Sequence, residues 1–120
     1  MLGIDLISIE RIERVIKRRG RFLERVFSSQ EIEEVKNHKN FYEALAGKFA
    51  CKEAVIKALG GRLSLKDITI LHNERGTPYV VLTRMAKRRF EEFMVSSIVV
   101  SISHSGGFAV AVAILEKEGI

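Results

Sequence analysis

The chain has 120 residues, 47% of them hydrophobic and 29% charged, with a formal net charge of +5 and a pI near 9.6. That is the length of one domain and the balance of a soluble globular protein, large enough to bury a core without disulfides or a structural metal. One cysteine, Cys51, excludes an internal disulfide and fits a reducing compartment; no apolar run approaches a membrane span, no signal region is visible, and cytoplasm is the expected location.

Leu2 to Ile9 is apolar and β-prone and predicts a strand, interrupted by the carboxylate of Asp5. The period then changes. Ile9, Ile12, Val15 and Ile16 form a helical stripe that runs to about Arg19, with Arg11, Arg14 and Arg18 lying away from it. Gly20 is a plausible stop. Between Glu10 and Arg25 there are seven basic residues and three acidic ones. Such a segment is either a solvated face or a surface for an acidic partner: nucleic acid, an anionic membrane or an acidic protein.

Ser28-Ser29-Gln30-Glu31 reads as a helix start with a capping box, and a short helix to about His38 follows. A long helix is predicted over Phe41 to Leu59, ended by Gly60-Gly61. It is rich in small residues (Ala44, Ala46, Gly47, Ala50, Cys51, Ala54, Ala58), which suits close packing. It also carries Lys48, Lys52, Glu53 and Lys57. Asp67 to Asn73 and Pro78 to Leu82 predict a hairpin with Gly76 at a positive φ. Arg84 to Met94 predicts an amphipathic helix burying Met85, Phe90, Phe93 and Met94. Ile98 to Ser103 and Phe108 to Leu115 predict two strands joined at Ser105-Gly106-Gly107. On the last strand Ala109, Ala111 and Ala113 share a face, which predicts a helix or another subunit packed very near it.

Asp5 and Glu53 are the candidates for chemistry. Two carboxylates brought together can hold a hard divalent cation, and lysines beside them can hold phosphate. Each has a plainer explanation: a salt bridge for Asp5, and an i, i+4 surface pair with Lys57 for Glu53. His104 stands at a strand end entering a glycine turn, as a ligand contact or as a satisfied edge histidine. No nucleophile elbow, zinc-ligand spacing or glycine-rich phosphate loop is present. Cys51 reads as a packed helix residue.

These segments, in this order, resemble the holo-acyl-carrier-protein synthases, the small bacterial 4′-phosphopantetheinyl transferases. Gly3-Ile4-Asp5-Leu6 resembles the family's first strand, Arg11-Ile12 its first helix, and Arg21-Phe22 with Glu24-Arg25-Val26-Phe27 the segment after it. Phe49-Ala50-Cys51-Lys52-Glu53-Ala54 with Lys57-Ala58-Leu59-Gly60 resembles its helical core. Asn73, Gly76 and Pro78 resemble its hairpin, and Ser101-Ile102-Ser103-His104-Ser105 its final turn. Gly60-Gly61-Arg62 is shorter than the glycine-rich loop of many relatives.

The resemblance implies an α+β fold: one domain over 1–120, with mainly antiparallel sheet packed against a long helix and shorter helices. It implies Mg²⁺-dependent transfer of 4′-phosphopantetheine from coenzyme A to a serine of apo acyl carrier protein, in support of fatty acid biosynthesis, with adenosine 3′,5′-bisphosphate leaving. Asp5 and Glu53 would bind the metal. Lys57 and Lys48 would neutralise coenzyme phosphates, and Gly76, Pro78, His104 and Ser105 would line the coenzyme pocket. Either Glu53 or a metal-bound water would take the serine proton. Arg11, Arg14, Arg18 and Arg21 would contact the acidic carrier. A homotrimer with sites between subunits is implied, with Asp5 and Glu53 from one protomer and the other pocket residues from its neighbour, and neither membrane nor nucleic acid as partner. The competing reading of the charge is a non-enzymatic module that binds nucleic acid.

Overall fold

The computed structural model describes residues 1–117. In chain order the elements are β1 (Leu2–Ser8), α1 (Ile9–Arg18), α2 (Phe22–Val26), α3 (Ser29–Val35), α4 (Phe41–Ala58), a single 3₁₀ turn (Leu65–Asp67), β2 (Ile68–His72), β3 (Pro78–Leu82), α5 (Arg84–Glu92), β4 (Val95–Ser105) and β5 (Phe108–Lys117). One antiparallel sheet has the order β1-β5-β4, and β2 and β3 form a separate hairpin. The α+β architecture matches the sequence reading, although α2 was not foreseen.

Local chemistry explains most boundaries. The Ser8 hydroxyl accepts from Arg11 N and starts α1. Ser28 and Glu31 form the expected capping box at α3. Helix α4 ends in a reciprocal pair of backbone bonds, Gly61 N to Ile56 O (2.8 Å) and Gly60 N to Lys57 O (3.2 Å), with both glycines at positive φ. Arg89 then donates to the carbonyls of Leu59 and Gly61. In the β2–β3 turn the Asn73 carboxamide oxygen accepts from Arg75 N and Thr77 N, and Gly76 takes φ +82°.

Helix α4 is the centre of the molecule. It packs on β1 and β5, and most of its side chains from Leu45 to Ala58 are buried. The alanine face of β5 meets it: Ala109, Ala111 and Ala113 are buried. The close neighbour predicted for that face is therefore a helix of the same chain. The opposite face of the sheet (Leu2, Ile4 and Leu6 of β1, Phe108 and Ile114 of β5, Val99 of β4) is exposed. Gly3 lies against α4 so closely that a Cβ there would sit 1.8 Å from the Ala54 carbonyl oxygen. Only glycine fits at that contact.

The reading of α5 needs correction. Ala86 is its buried residue, and Phe90 and Phe93 are half-buried, but Met85 is 53% exposed and Met94 74% exposed. Phe93 and Met94 follow the last helical turn, and Met94 takes φ +56°, which carries it off the apolar stripe.

Among the described residues, the core contains one ion pair with both partners fully buried. Lys52 Nζ lies 2.7 Å from Glu31 and donates to the carbonyls of Val26 (2.8 Å), Leu65 (3.1 Å) and Ile68 (2.6 Å). Glu31 also accepts from Ser28 N (2.9 Å) and Ile70 N (2.7 Å). Burial pulls the Lys52 pKa down, and Glu31 opposes that shift. Glu31→Gln removes the counter-charge and turns an amide NH₂ toward a donor. It is expected to cost about 3–5 kcal/mol, the scale of a broken buried pair, read as a lower urea midpoint. A loss under about 1 kcal/mol, the worth of a surface pair, would refute a structural role for the pair.

Candidate active site

The two singled-out carboxylates come together. Asp5 projects from β1 on the side of α4, and Glu53 lies on the outward side of α4 one residue after the buried Lys52. Both line a cavity of about 530 Å³, together with Ser8, Arg11, Phe22, Phe49 and Phe108. Lys57 Nζ reaches Asp5 Oδ1 and the Ile4 carbonyl, both at 3.0 Å. The i, i+4 pair of Glu53 with Lys57 therefore gives way to a longer-range pair of Lys57 with Asp5. Burial raises the Glu53 pKa, the nearby Asp5 charge raises it further, and Lys57 opposes both. Two carboxylates thus share a partly desolvated place, with one ammonium paired to Asp5.

This donor set fits a hard cation. Two carboxylates leave positions for water and for substrate phosphate, as Mg²⁺ prefers. Among the described residues no group of three or more His, Cys, Asp or Glu side chains could form an all-protein cage.

The three lysines of α4 have three different environments. Lys57 is exposed beside Asp5. Lys48 is 1% exposed and donates to Glu34 (2.5 Å) and to the Ile70 carbonyl (2.6 Å). Its assignment to coenzyme phosphate is corrected, because the ammonium is already committed inside the protein. Lys52 is likewise structural. Glu34 also accepts from the backbone N–H of His72 and meets its ring nitrogen. Burial alone would raise the Glu34 pKa, but the bonds from Lys48 and His72 outweigh it and lower it. Cys51 is buried, and desolvation pushes its thiol up to about 12, so it is inert as a nucleophile.

The remaining predicted residues lie elsewhere. His104 lines a second cavity of about 390 Å³ between α3, α4, β2 and β4. Ser105 is exposed beside it, at the corner of a tight β4–β5 turn whose Gly106 and Gly107 both have positive φ. Gly76 and Pro78 sit at the tip and shoulder of the β2–β3 hairpin. No residue that lines the Asp5–Glu53 cavity also lines the His104 cavity. Within one chain the two halves of the predicted site stay apart. Arg11 reaches the carboxylate cavity, Arg14 pairs with Glu10, and Arg18 and Arg21 are exposed. Phe22, Phe49 and Phe108, the apolar wall of that cavity, were not singled out as site residues; Phe22 and Phe49 stand inside the motifs next to Arg21 and Lys48, and Phe108 lies in none of them.

The fold and this site define a class. Residues 1–113 match the 4′-phosphopantetheinyl transferase superfamily, and the chain belongs to it. More particularly, its curated relatives include a holo-[acyl-carrier-protein] synthase of Caldicellulosiruptor saccharolyticus, 46% identical over 98% of this chain and 96% of that one. Another, from Caldanaerobacter subterraneus, is 42% identical over 94% and 91%. Among solved structures, the synthase of Helicobacter pylori in complex with coenzyme A superposes with a TM-score of 0.84, at 40% identity over 97% of this chain and all of that one. The synthase of Neisseria meningitidis gives 0.88 at 30% identity, covering 97% of each.

The raised pKa of Glu53 has a stability consequence. The folded state binds its proton more tightly than the unfolded chain does, so in metal-free buffer this contribution is full below the ordinary glutamate value and is lost as pH rises through the raised one. At pH 7 Glu53→Gln is therefore expected to leave the metal-free melting temperature equal or higher. Added Mg²⁺ should raise the melting temperature of the wild type but not of the variant. Equal Mg²⁺ shifts in both proteins would remove Glu53 from the metal site.

Proposed function

We propose that this chain transfers 4′-phosphopantetheine from coenzyme A to a serine of apo acyl carrier protein, as a Mg²⁺-dependent holo-[acyl-carrier-protein] synthase that supports fatty acid biosynthesis. The observation that carries this reading is the convergence of Asp5 and Glu53 on one partly buried cavity, with Lys57 paired to Asp5, in a chain of this family. The nucleic-acid module, the other reading of the basic segment, leaves that convergence unexplained.

Phosphoryl transfer asks little covalent chemistry of the protein; it needs positioning and charge neutralisation. The serine oxygen attacks the phosphorus that bears pantetheine. The bond from that phosphorus to the bridging oxygen breaks, and adenosine 3′,5′-bisphosphate leaves with the electron pair. The serine proton passes to a carboxylate of the pair or to water. Asp5 and Glu53 would hold Mg²⁺, which when bound supplies neutralisation and polarisation of the pyrophosphate. Lys57, the exposed lysine of α4, turns from Asp5 to a phosphate oxygen. Phe22, Phe49 and Phe108 narrow the cavity and lower its polarity, which strengthens each charge interaction within it. The exposed arginines of α1 and the turn after it, with Arg11 nearest the carboxylates, offer the acidic carrier a surface that steers its approach.

Two features support a site completed by a neighbouring copy, in a homotrimer. His104, Ser105, Gly76 and Pro78 lie outside the carboxylate cavity of their own chain. The exposed face of the sheet also carries a run of apolar side chains along β1 and β5 (Leu2, Ile4, Leu6, Phe108 and Ile114), with Val99 beside them on β4. On this reading that face packs between subunits, and coenzyme A spans from the Asp5–Glu53 cavity of one subunit to His104 and the hairpin of the next.

The direct test is mass spectrometry of apo carrier protein after incubation with coenzyme A and Mg²⁺. A gain of one phosphopantetheine is expected, and none would refute the proposal. Asp5→Asn and Glu53→Gln should each lower the rate by more than about 100-fold, beyond the 10–100-fold typical of an outer-shell partner of a metal, with the fold intact.

The subunit arrangement has its own check. A mixture of Glu53→Gln and His104→Ala chains should regain activity on subunit exchange, because some sites then receive both intact halves. Ile4→Lys, on the exposed sheet face, should give monomers in sedimentation and little transfer. A fully active wild-type monomer would overturn the shared site.

A further inference from the structure

We infer that Gly47 is a positioning residue for the coenzyme site, because the space left by its missing side chain is the seat of the His104 ring. Gly47 is buried on α4. A Cβ at this position would stand 2.8 Å from His104 Nε2, 3.4 Å from His104 Cε1 and 3.0 Å from Ile102 Cγ2. The first and last of these are closer than side chains pack, and the obstacles are side chains, chiefly the far end of His104 and then the Ile102 methyl, not backbone. An added methyl would therefore displace the ring and leave the fold in place.

What the seat does follows from the next contact. His104 Nε2 lies 3.1 Å from the Glu43 carbonyl oxygen, one helical turn before Gly47. A carbonyl only accepts, so Nε2 carries the proton. That carbonyl also belongs to the helix ladder, where its partner is the N–H four residues on, which is that of Gly47. The ring occupies the second lone pair of the same oxygen, and it can approach because residue 47 has no side chain. Nδ1 is left as the ring atom available to a ligand. It is 3.9 Å from the Glu43 carboxylate, too far for a hydrogen bond. Gly47 thus fixes the place, the orientation and the proton of His104 at once. A glycine in mid-helix is otherwise unfavourable relative to alanine. Here its cost is offset by the contact it permits.

The inference rests on the reading of His104 as a coenzyme contact, and the test separates the two. Gly47→Ala, His104→Ala and the double variant are compared by KM for coenzyme A, KM for carrier protein and melting temperature. His104→Ala is expected to raise the coenzyme KM about tenfold, the scale of one hydrogen bond to a charged group. Gly47→Ala should raise it by a similar factor, leave the carrier KM within about twofold, and melt at or above the wild-type temperature because alanine favours the helix. In the His104→Ala background the Gly47 change should add nothing, since its effect passes through the ring.

If His104→Ala leaves the coenzyme KM unchanged, the reading of His104 falls. If His104→Ala weakens coenzyme binding but Gly47→Ala does not, the role of Gly47 falls alone. Full additivity in the double variant overturns it too. Imidazole ¹⁵N shifts of the wild type give a check that needs no variant to fold. They should show His104 protonated on Nε2 when neutral, and an Nδ1–H tautomer would overturn the seat.

Discussion

Lys52 keeps its ammonium inside the protein, where a carboxylate and three main-chain carbonyls surround it. A buried charge is costly unless paired and fully hydrogen-bonded, so this group dictates what must stand around it. Glu31 must come from α3, Val26 from the end of α2, Leu65 from the 3₁₀ turn and Ile68 from β2. Glu31 in turn holds the backbone of Ser28 and Ile70. Four segments, α2, α3, the 3₁₀ turn and β2, are therefore fixed to one point on α4. Successive helical residues point about 100° apart, so a Lys52 locked inward leaves Glu53 on the rim of the core. The position of the proposed metal ligand depends on the interaction beside it.

A second constraint brings the other carboxylate. Strand β1 crosses α4 with Gly3 against the Ala54 carbonyl, and β5 follows with its row of alanines. Small residues on all three elements let the sheet approach the helix closely. Side chains alternate along a strand, so Asp5 shares the helix-facing side with Gly3, and the same register sends Leu2, Ile4 and Leu6 outward. Contact with the helix and the exposed apolar face are two results of one alternation.

Charge is sorted by depth along α4. Lys48 and Lys52 are neutralised by Glu34 and Glu31 and serve the core, while Lys57 stays at the surface and compensates Asp5. The lysine nearest solvent is the one free to exchange its partner for a phosphate. At the other end of the helix, the Glu43 carbonyl and the gap at Gly47 receive His104 from β4. Helix α4 therefore carries a carboxylate site at one end and the seat of a histidine at the other, facing separate cavities.

Much was legible in the chain by itself. The hydrophobic periods gave the long helix, the first strand, the hairpin and the last two strands, and the caps at Ser28 and Gly60-Gly61 are local chemistry that needs only neighbouring residues. The pairing of Asp5 with Glu53 was legible only through the resemblance, because residues 48 positions apart carry no mutual signal in one sequence. Tertiary structure alone decided the fates of the lysines. Lys48, Lys52 and Lys57 look alike in sequence, but a carboxylate from another helix turns two of them into core residues. It also decided which face of β5 meets the helix and which is left bare, and it left Met85, at the start of α5, and Met94, past its end, exposed. Local patterns specify an element and its faces; what each face meets depends on close packing between distant segments, which no single stretch of sequence encodes.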